Sequence, residues 1–290
     1  MNGKAEALAH GAATIVNAIA LGKGAAFGVD LWTKVQVKLT DEPTVIRGEI
    51  ISDPAESTVL IERTLARVFQ HFGVEKQFGA KVKTWSNIPI ARGLKSSSVA
   101  ANAVALATTA ALGKALDDLA VVNLGVDAAF NAKVTVTGAF DDACASYFGG
   151  VVVTDNLKRK LIKRSALPES LAVLFHVPSK KAYTGNSDVN KLKTVAPLVK
   201  IAYKEALRGN FLAALSLNGI IYSSALGYNT SVAMDALSAG AVAAGLCGKG
   251  PAVTAVVSND KIDQVKAALQ LHEGEILQAR LNQEKAKVVT

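Results

Sequence analysis

The sequence predicts an α+β or two-part α/β protein built from two lobes, and three observations carry that expectation. Strand-like and helix-like segments follow one another without repeating as regular βαβ units. A polar, basic stretch at 155–165 separates two apolar regions. Half of the 290 residues are hydrophobic and 19% are charged, which suits a sizeable core and excludes a disordered, solvating chain. The lobes are expected over 1–165 and 166–290.

Taken in order, the apolar run 11–21 reads as a first strand and turn. Glu6 stands before it, Asn17 interrupts it and no basic cluster precedes it, so it does not read as a leader peptide. Segments 31–39, 81–84, 134–136 and 150–153 are rich in β-branched or apolar residues and read as strands. Apolar spacing predicts helices over 58–72 and 98–112. Beyond the basic stretch, strands are expected at 171–176 and 252–257, and helices at 194–206, 211–217, 231–244 and 262–271. The Ala-rich runs 99–111 and 239–244 imply close helix packing.

Composition narrows the function. No run of 18 apolar residues exists, so no membrane span is expected. Cys144 and Cys247 allow at most one disulfide and lack zinc-ligand spacing, and a reducing cytoplasm is the simpler setting. Lys and Arg total 32 against 24 Asp and Glu, a net +8 spread thinly along the chain. The densest run, Lys158, Arg159, Lys160, Lys163 and Arg164, has no interleaved aromatic and reads as a solvated linker or helix end, so nucleic acid is not an expected partner. A small polyanionic substrate suits the balance. The four histidines form no HExxH pattern and no close pair, and no Gly-x-Ser-x-Gly elbow is present, which sets aside zinc and serine-hydrolase chemistry.

Four segments carry chemistry. The first, 87–98, joins a strand to a helix through Gly93 and ends in Ser96, Ser97 and Ser98, which are able to cap the helix start. Unpaired amides and the positive end of a helix dipole meet there, with Arg92 and Lys95 adding charge, so the loop is a candidate phosphate cradle; an ordinary capped helix has the same pattern. It is not a Walker A loop, because Gly248-Lys249 is followed by Gly250. The second, 137–150, holds Asp141 and Asp142, whose side chains on a helix diverge by about 100°. One acid could serve as base while the other caps the helix or binds metal. The third, 240–252, reads as a helix entering a glycine loop, where Gly248 and Gly250 permit close approach to a ligand. In the fourth, 11–30, Asn17 needs a hydrogen-bond partner in the core or on a ligand, and Lys23 stands between two glycines, where it could reach a phosphate or carboxylate or equally lie on a flexible exposed turn.

Together these segments resemble the GHMP kinase superfamily. Its Pro-x-x-x-Gly-Leu-x-Ser-Ser loop is matched by Pro89, Gly93, Leu94, Ser96 and Ser97, and its glycine-rich third motif by 247–251. The phrases at 91–98, 22–28 and 137–150 resemble the archaeal shikimate kinase branch, and the resemblance runs in order along nearly the whole chain. It implies an N-terminal lobe like ribosomal protein S5 domain 2, a ferredoxin-like C-terminal lobe, and ATP-dependent phosphorylation of shikimate to shikimate 3-phosphate on the route to the aromatic amino acids. Homoserine- or mevalonate-type kinases and a catalytically silent binding protein of the same fold are the rivals. Oligomeric state is left open.

The resemblance also implies a site. ATP would be held by Pro89, Ala91, Arg92, Gly93, Leu94, Lys95, Ser96, Ser97 and Ser98, and Mg²⁺ by Ser97, Ser96 and Asp127. Asn17, Lys23, Arg92, Gly248 and Gly250 would meet the acceptor. The family's first-strand lysine has no counterpart, since Ile15 stands near its place, so Lys23 or Arg92 would have to supply that charge. Counting back from Gly149-Gly150 selects Asp142 against mevalonate kinase and Asp141 against homoserine kinase; Asp141 is favoured as the base, with Asp142 and Lys23 beside it.

Overall fold

A computed structural model describes residues 3–179 and 189–289. The first sheet begins with a long antiparallel pair, β1 (Lys4–Val16) and β2 (Lys23–Thr40). From residue 31 to 39 of β2, buried and more exposed positions alternate, so one face packs inward. Its earlier half is buried almost throughout, because both faces are covered. β3 (Ile46–Ile50) lies parallel to β4 (Gly79–Ser86), which pairs with the later half of β2. The earlier half pairs instead with β5 (Val151–Asp155), which continues into β6 (Lys160–Ser165).

Four helices pack with this sheet: α1 (Val59–Phe72), α2 (Ser96–Ala111), α3 (Asp118–Asn131) and α4 (Phe140–Phe148). α1 is amphipathic, burying Ile61, Leu65, Val68 and Phe69. α2 is apolar nearly all round and its alanines let β1, β2, α3 and α4 close around it. Its one buried amide, Asn102, donates from Nδ2 to the Ala143 carbonyl at 2.8 Å and so fixes α2 against α4. Burial of each Leu, Val or Phe in such a core contributes about 1.5–3 kcal/mol.

The second sheet is antiparallel, ordered β10 (Glu275–Arg280), β7 (Leu171–Val177), β9 (Val253–Ser258), β8 (Ala243–Leu246). α5 (Val189–Thr194), α6 (Ala196–Arg208), α7 (Phe211–Leu226), α8 (Ser231–Ser238) and α9 (Ile262–Leu269) complete this half. α7 packs on β8 and also on β1, joining the two sheets. The last strand, β11 (Lys287–Val288), returns to pair with β1 on the first sheet.

Three expectations are corrected. The β-branched run 134–136 is not a strand but part of the connection between α3 and α4, where no neighbouring strand offers it a ladder. The helix expected over 231–244 ends at Ser238, and 243–246 is β8, a fully buried strand whose small residues show no alternation. The basic stretch 155–165 is not a linker: it is the β5–β6 hairpin of the first sheet.

Candidate active site

The loop from β4 into α2 has an unusual backbone. Ala91, Gly93 and Lys95 all take left-handed conformations, with φ of 57°, 85° and 65°. For alanine and lysine this costs about 1–3 kcal/mol each, which surrounding contacts must offset. Leu94 is buried in the core, and the amide of Ala252 donates to the Arg92 carbonyl at 3.2 Å. Gly93 rests on the carbonyls of Cys247 and Gly250, where a Cβ would intrude at 2.6 and 2.9 Å. The serines do not cap the helix. Lys95 occupies the cap position with no side-chain cap bond, and Ser96, Ser97 and Ser98 form the first turn. Their amides have no intrahelical acceptor and, with the dipole of a 16-residue helix, open onto a cleft of about 140 Å³. Ala91, Gly93, Lys95 and the three serines line it, whereas Pro89, Arg92 and Leu94 serve the loop from behind.

Asp141 and Asp142 line the same cleft from the first turn of α4, whose dipole favours anions there. Asp142 Oδ2 meets Lys95 Nζ at 3.0 Å, both side chains only 10% exposed. Its Oδ1 is buried without a hydrogen-bond partner among the described residues. Burial works against the Lys95 charge, but Asp142, Cys247 and Asp141 hold its pKa above the ordinary lysine value. Asp141 Oδ1 accepts from Asn156 Nδ2 at 2.8 Å, and Thr154 orients Asn156 by donating to its Oδ1 at 2.7 Å. A Cβ on Gly24 would overlap the other Asp141 oxygen. Burial, then the Asp142 charge, raises the Asp141 pKa to about 7, against the opposing pull of Lys95 and Asn156.

The third wall is the glycine loop after β8. Gly248 donates its amide to Thr14 Oγ1 at 3.0 Å and accepts from Asn17 Nδ2 at 2.8 Å, while the Gly250 amide bonds to the Cys247 carbonyl at 2.9 Å. These glycine amides are therefore spent within the protein, and the loop's polar side chain at the cleft is Lys249. Burial, and then the Lys95 charge, lowers the Lys249 pKa to about 8. Asn17 lies just past β1, where its side chain also accepts from the Ile19 amide at 2.9 Å. It lines the cleft, but it acts as a clasp.

Three expected residues stand elsewhere. Lys23 is exposed, 4.0 Å from Asp155 and facing the Tyr203 ring, outside the cleft lining. Arg92 donates to the Pro178 carbonyl, tying the loop to the end of β7. Asp127 is held by Arg67 at 2.8 Å and Arg159 at 2.6 Å. Burial opposes its charge, yet the two guanidiniums keep its pKa below the usual value. It is a structural anion between two cations, so it does not fit a metal. Lys95, not Lys23 or Arg92, brings the positive charge to the acids. The sequence expectations give Asn156 no role and Lys95 none at the acids, and they do not include Lys249 in the cleft lining; a lysine between two glycines of the third motif is the visible signal for Lys249.

Beside the cleft, and sharing Ala91, Ser96, Ser97 and Val134 with it, is a larger and more apolar cavity of about 450 Å³. Ile50, Val59, Leu60, Ile61 and Ile90 contribute its apolar wall.

Residues 59–150 match the family described as GHMP kinases N terminal domain. The shikimate kinase of Methanosarcina mazei is 46% identical over 278 residues, covering 95% of this chain and 94% of that protein. The chain belongs to the GHMP kinase family, among the archaeal shikimate kinases. A second relative, the shikimate kinase of Methanosarcina acetivorans, is 44% identical and covers 97% of this chain and 95% of its own length. Among solved structures, homoserine kinase from Cytophaga hutchinsonii superposes with a TM-score of 0.77 at 17% identity, covering 100% of this chain and 98% of the other. That likeness shows the GHMP kinase fold, in which both sheets and the strand returning from the C-terminus take part.

Proposed function

We propose that this GHMP kinase transfers the γ-phosphoryl group of ATP to a hydroxyl of shikimate, giving shikimate 3-phosphate and ADP. One observation carries the reading: the open N-terminus of α2 and the buried carboxylate pair of α4 face one cleft. Phosphoryl transfer needs an anion cradle and a proton acceptor within reach of each other. The adjoining apolar cavity suits a nucleoside whose phosphates run onto Ser96–Ser98.

The residues divide the work. The amides of Ser96, Ser97 and Ser98 hold the phosphates, and Lys95 adds charge beside them. Of the two acids, Asp142 keeps one oxygen without a hydrogen-bond partner among the described residues while Asp141 is bonded to Asn156, so Asp142 accepts the hydrogen bond of the acceptor hydroxyl and then its proton. The hydroxyl oxygen forms its bond to γ-phosphorus as the bond to the β–γ bridging oxygen breaks, and ADP leaves with that electron pair. Asp141, whose own pKa is raised to about 7, places a second carboxylate beside the accepting one. Ser96 and Ser97 line the cleft with hydroxyl oxygens of the kind Mg²⁺ takes, and would hold it together with phosphate and water oxygens. When bound, Mg²⁺ supplies neutralisation of phosphate charge.

The reading is tested by ADP release with ATP and shikimate, homoserine or mevalonate side by side. Turnover with shikimate alone is expected. Turnover with homoserine or mevalonate instead would replace the acceptor, and turnover with none would overturn the kinase reading.

A further inference from the structure

Both oxygens of Asp141 are closely held: Oδ1 accepts from Asn156 Nδ2 at 2.8 Å, and Oδ2 lies against Gly24, where a Cβ would overlap it. Asn156 is buried directly after β5, and its backbone amide donates to the Gly22 carbonyl at 2.9 Å. Thr154 Oγ1 stands 2.7 Å from Asn156 Oδ1 and 3.3 Å from the Gly24 carbonyl, so its one hydrogen goes to the nearer oxygen. That bond makes the amide oxygen an acceptor and leaves the NH₂ group aimed at Asp141, and a donor there favours the charged carboxylate. Thr154 is held in turn by its register with Gly24 on β2 and by the Tyr203 hydroxyl, which donates to its carbonyl at 3.1 Å. The titratable groups around Asp141 come from three helices and the glycine loop: Asp142 and Cys144 on α4, Lys95 ahead of α2, Tyr222 on α7, and Lys249 lining the same cleft. Burial pushes the Cys144 and Tyr222 pKa values up, so both stay neutral near pH 7. Asp142 opposes a charge on Asp141, and Lys95 and Asn156 favour it.

We infer that Asn156 is a positioning residue of the reaction: its amide holds Asp141 as a carboxylate, so that Asp142 works beside a second negative charge. The inference rests on the kinase reading, with Asp142 as the acceptor of the proton. Asn156 stands behind Asp141 and outside the cleft lining, so it touches neither substrate and acts through Asp141. Thr154 belongs to the same device, because its hydroxyl decides which end of the amide faces the acid.

The pH dependence of kcat, measured with ATP and the alcohol that the wild type turns over, tests this on Asn156→Leu, Thr154→Val and Thr154→Ser. Removing a donor to the charged form raises the Asp141 pKa. In Asn156→Leu the fall in kcat therefore moves to higher pH by about one to two units, the worth of a hydrogen bond to a charged group. Activity returns above that limb, which a damaged fold would not allow. Thr154→Val, close to threonine in shape, is expected to give a smaller shift in the same direction, and Thr154→Ser to keep the wild-type limb. Adding Asn156→Leu to Asp141→Asn produces no further pH-dependent loss. A wild-type limb in Asn156→Leu, a loss of kcat equal at every pH, or a shift that persists without Asp141 overturns the assignment. Where Asn156→Leu does not fold, Thr154→Val carries the same outcomes. The Asp141 carboxyl is also titrated directly, by NMR of protein labelled at its aspartate carboxyl carbons, with the signal assigned by its loss in Asp141→Asn. An Asp141 that titrates alike in the wild type and the variants overturns the assignment without any turnover. A wild type that phosphorylates no alcohol refutes the kinase reading instead, and an upward shift of the Asp141 titration in the variants still upholds the hold of Asn156 on that acid.

Discussion

Asp141 and Asp142 are neighbours in sequence, buried, and among the described residues only one of them has a cation at hydrogen-bond distance. Two adjacent carboxylates in low dielectric resist being ionised together, and burial adds to that, so Asp141 titrates near pH 7 rather than near the ordinary aspartate value. Activity should therefore fall as pH drops through about 7, because protonation of Asp141 removes a negative charge from beside the accepting carboxylate. Asp142→Asn is expected to lower kcat by about 10²- to 10⁴-fold, the usual worth of a positioned base. Asp141→Asn should keep more activity and lose the fall in kcat near pH 7, since the group that titrates there is gone. The stability sign runs opposite to that of a salt-bridged aspartate. A raised folded pKa means that the native state binds more protons than the unfolded chain between 3.8 and about 7, so stability declines as pH rises through that window. Asp141→Asn should accordingly raise the Tm relative to wild type at pH 8 and do so little below pH 4. A greater kcat loss in Asp141→Asn than in Asp142→Asn would exchange the two roles.

At the scale of the element, the phosphate loop depends on a second loop far away in sequence. Gly93 has a positive φ and sits on the carbonyls of Cys247 and Gly250. Gly93→Ala adds a Cβ where neither backbone has room, and it also strains a left-handed residue, so the loop must lift from its support. A rise of about tenfold or more in the KM for ATP is expected from displacing the α2 amides, with a lower Tm; unchanged nucleotide binding would show that the loop is not the cradle. This element was legible in the sequence because a glycine, three serines and an apolar helix are local signals of an anion-binding helix start. Which serine caps was not legible: Lys95 takes the left-handed cap position, a backbone choice set by tertiary contact. The carboxylates were visible as residue types, but choosing between them needs Asn156 and Lys95, which approach from 15 and 47 positions away. Val134–Val136 has strand composition and no strand to pair with, while β8 is built of Ala, Gly and Leu and carries no periodicity to distinguish it from a helix.

On the scale of the whole molecule, the cleft exists only if the two sheets keep their relation, and Asn17 is where they are fastened. Its amide donates to Asn218 Oδ1 on α7 at 3.1 Å, its side chain donates to Gly248 at 2.8 Å, and its carbonyl accepts from the Tyr222 hydroxyl at 3.1 Å. The same hydroxyl accepts from the Ala20 amide at 3.0 Å. The turn after β1 thus clamps α7 and the glycine loop together, and Thr14 adds a bond to Gly248 from within β1. An asparagine spent in this way serves the substrates indirectly. Asn17→Ala would leave the buried Gly248 carbonyl without its donor at a cost of about 2–3 kcal/mol. That corresponds to a Tm lower by roughly 3–5 °C in a chain of this size. Because the glycine loop supports Gly93 and itself lines the cleft, the KM values for ATP and shikimate should rise together. A thermal scan beside two KM measurements separates the alternatives: a rise in the shikimate KM alone, at unchanged Tm, would mean that Asn17 touches the acceptor directly.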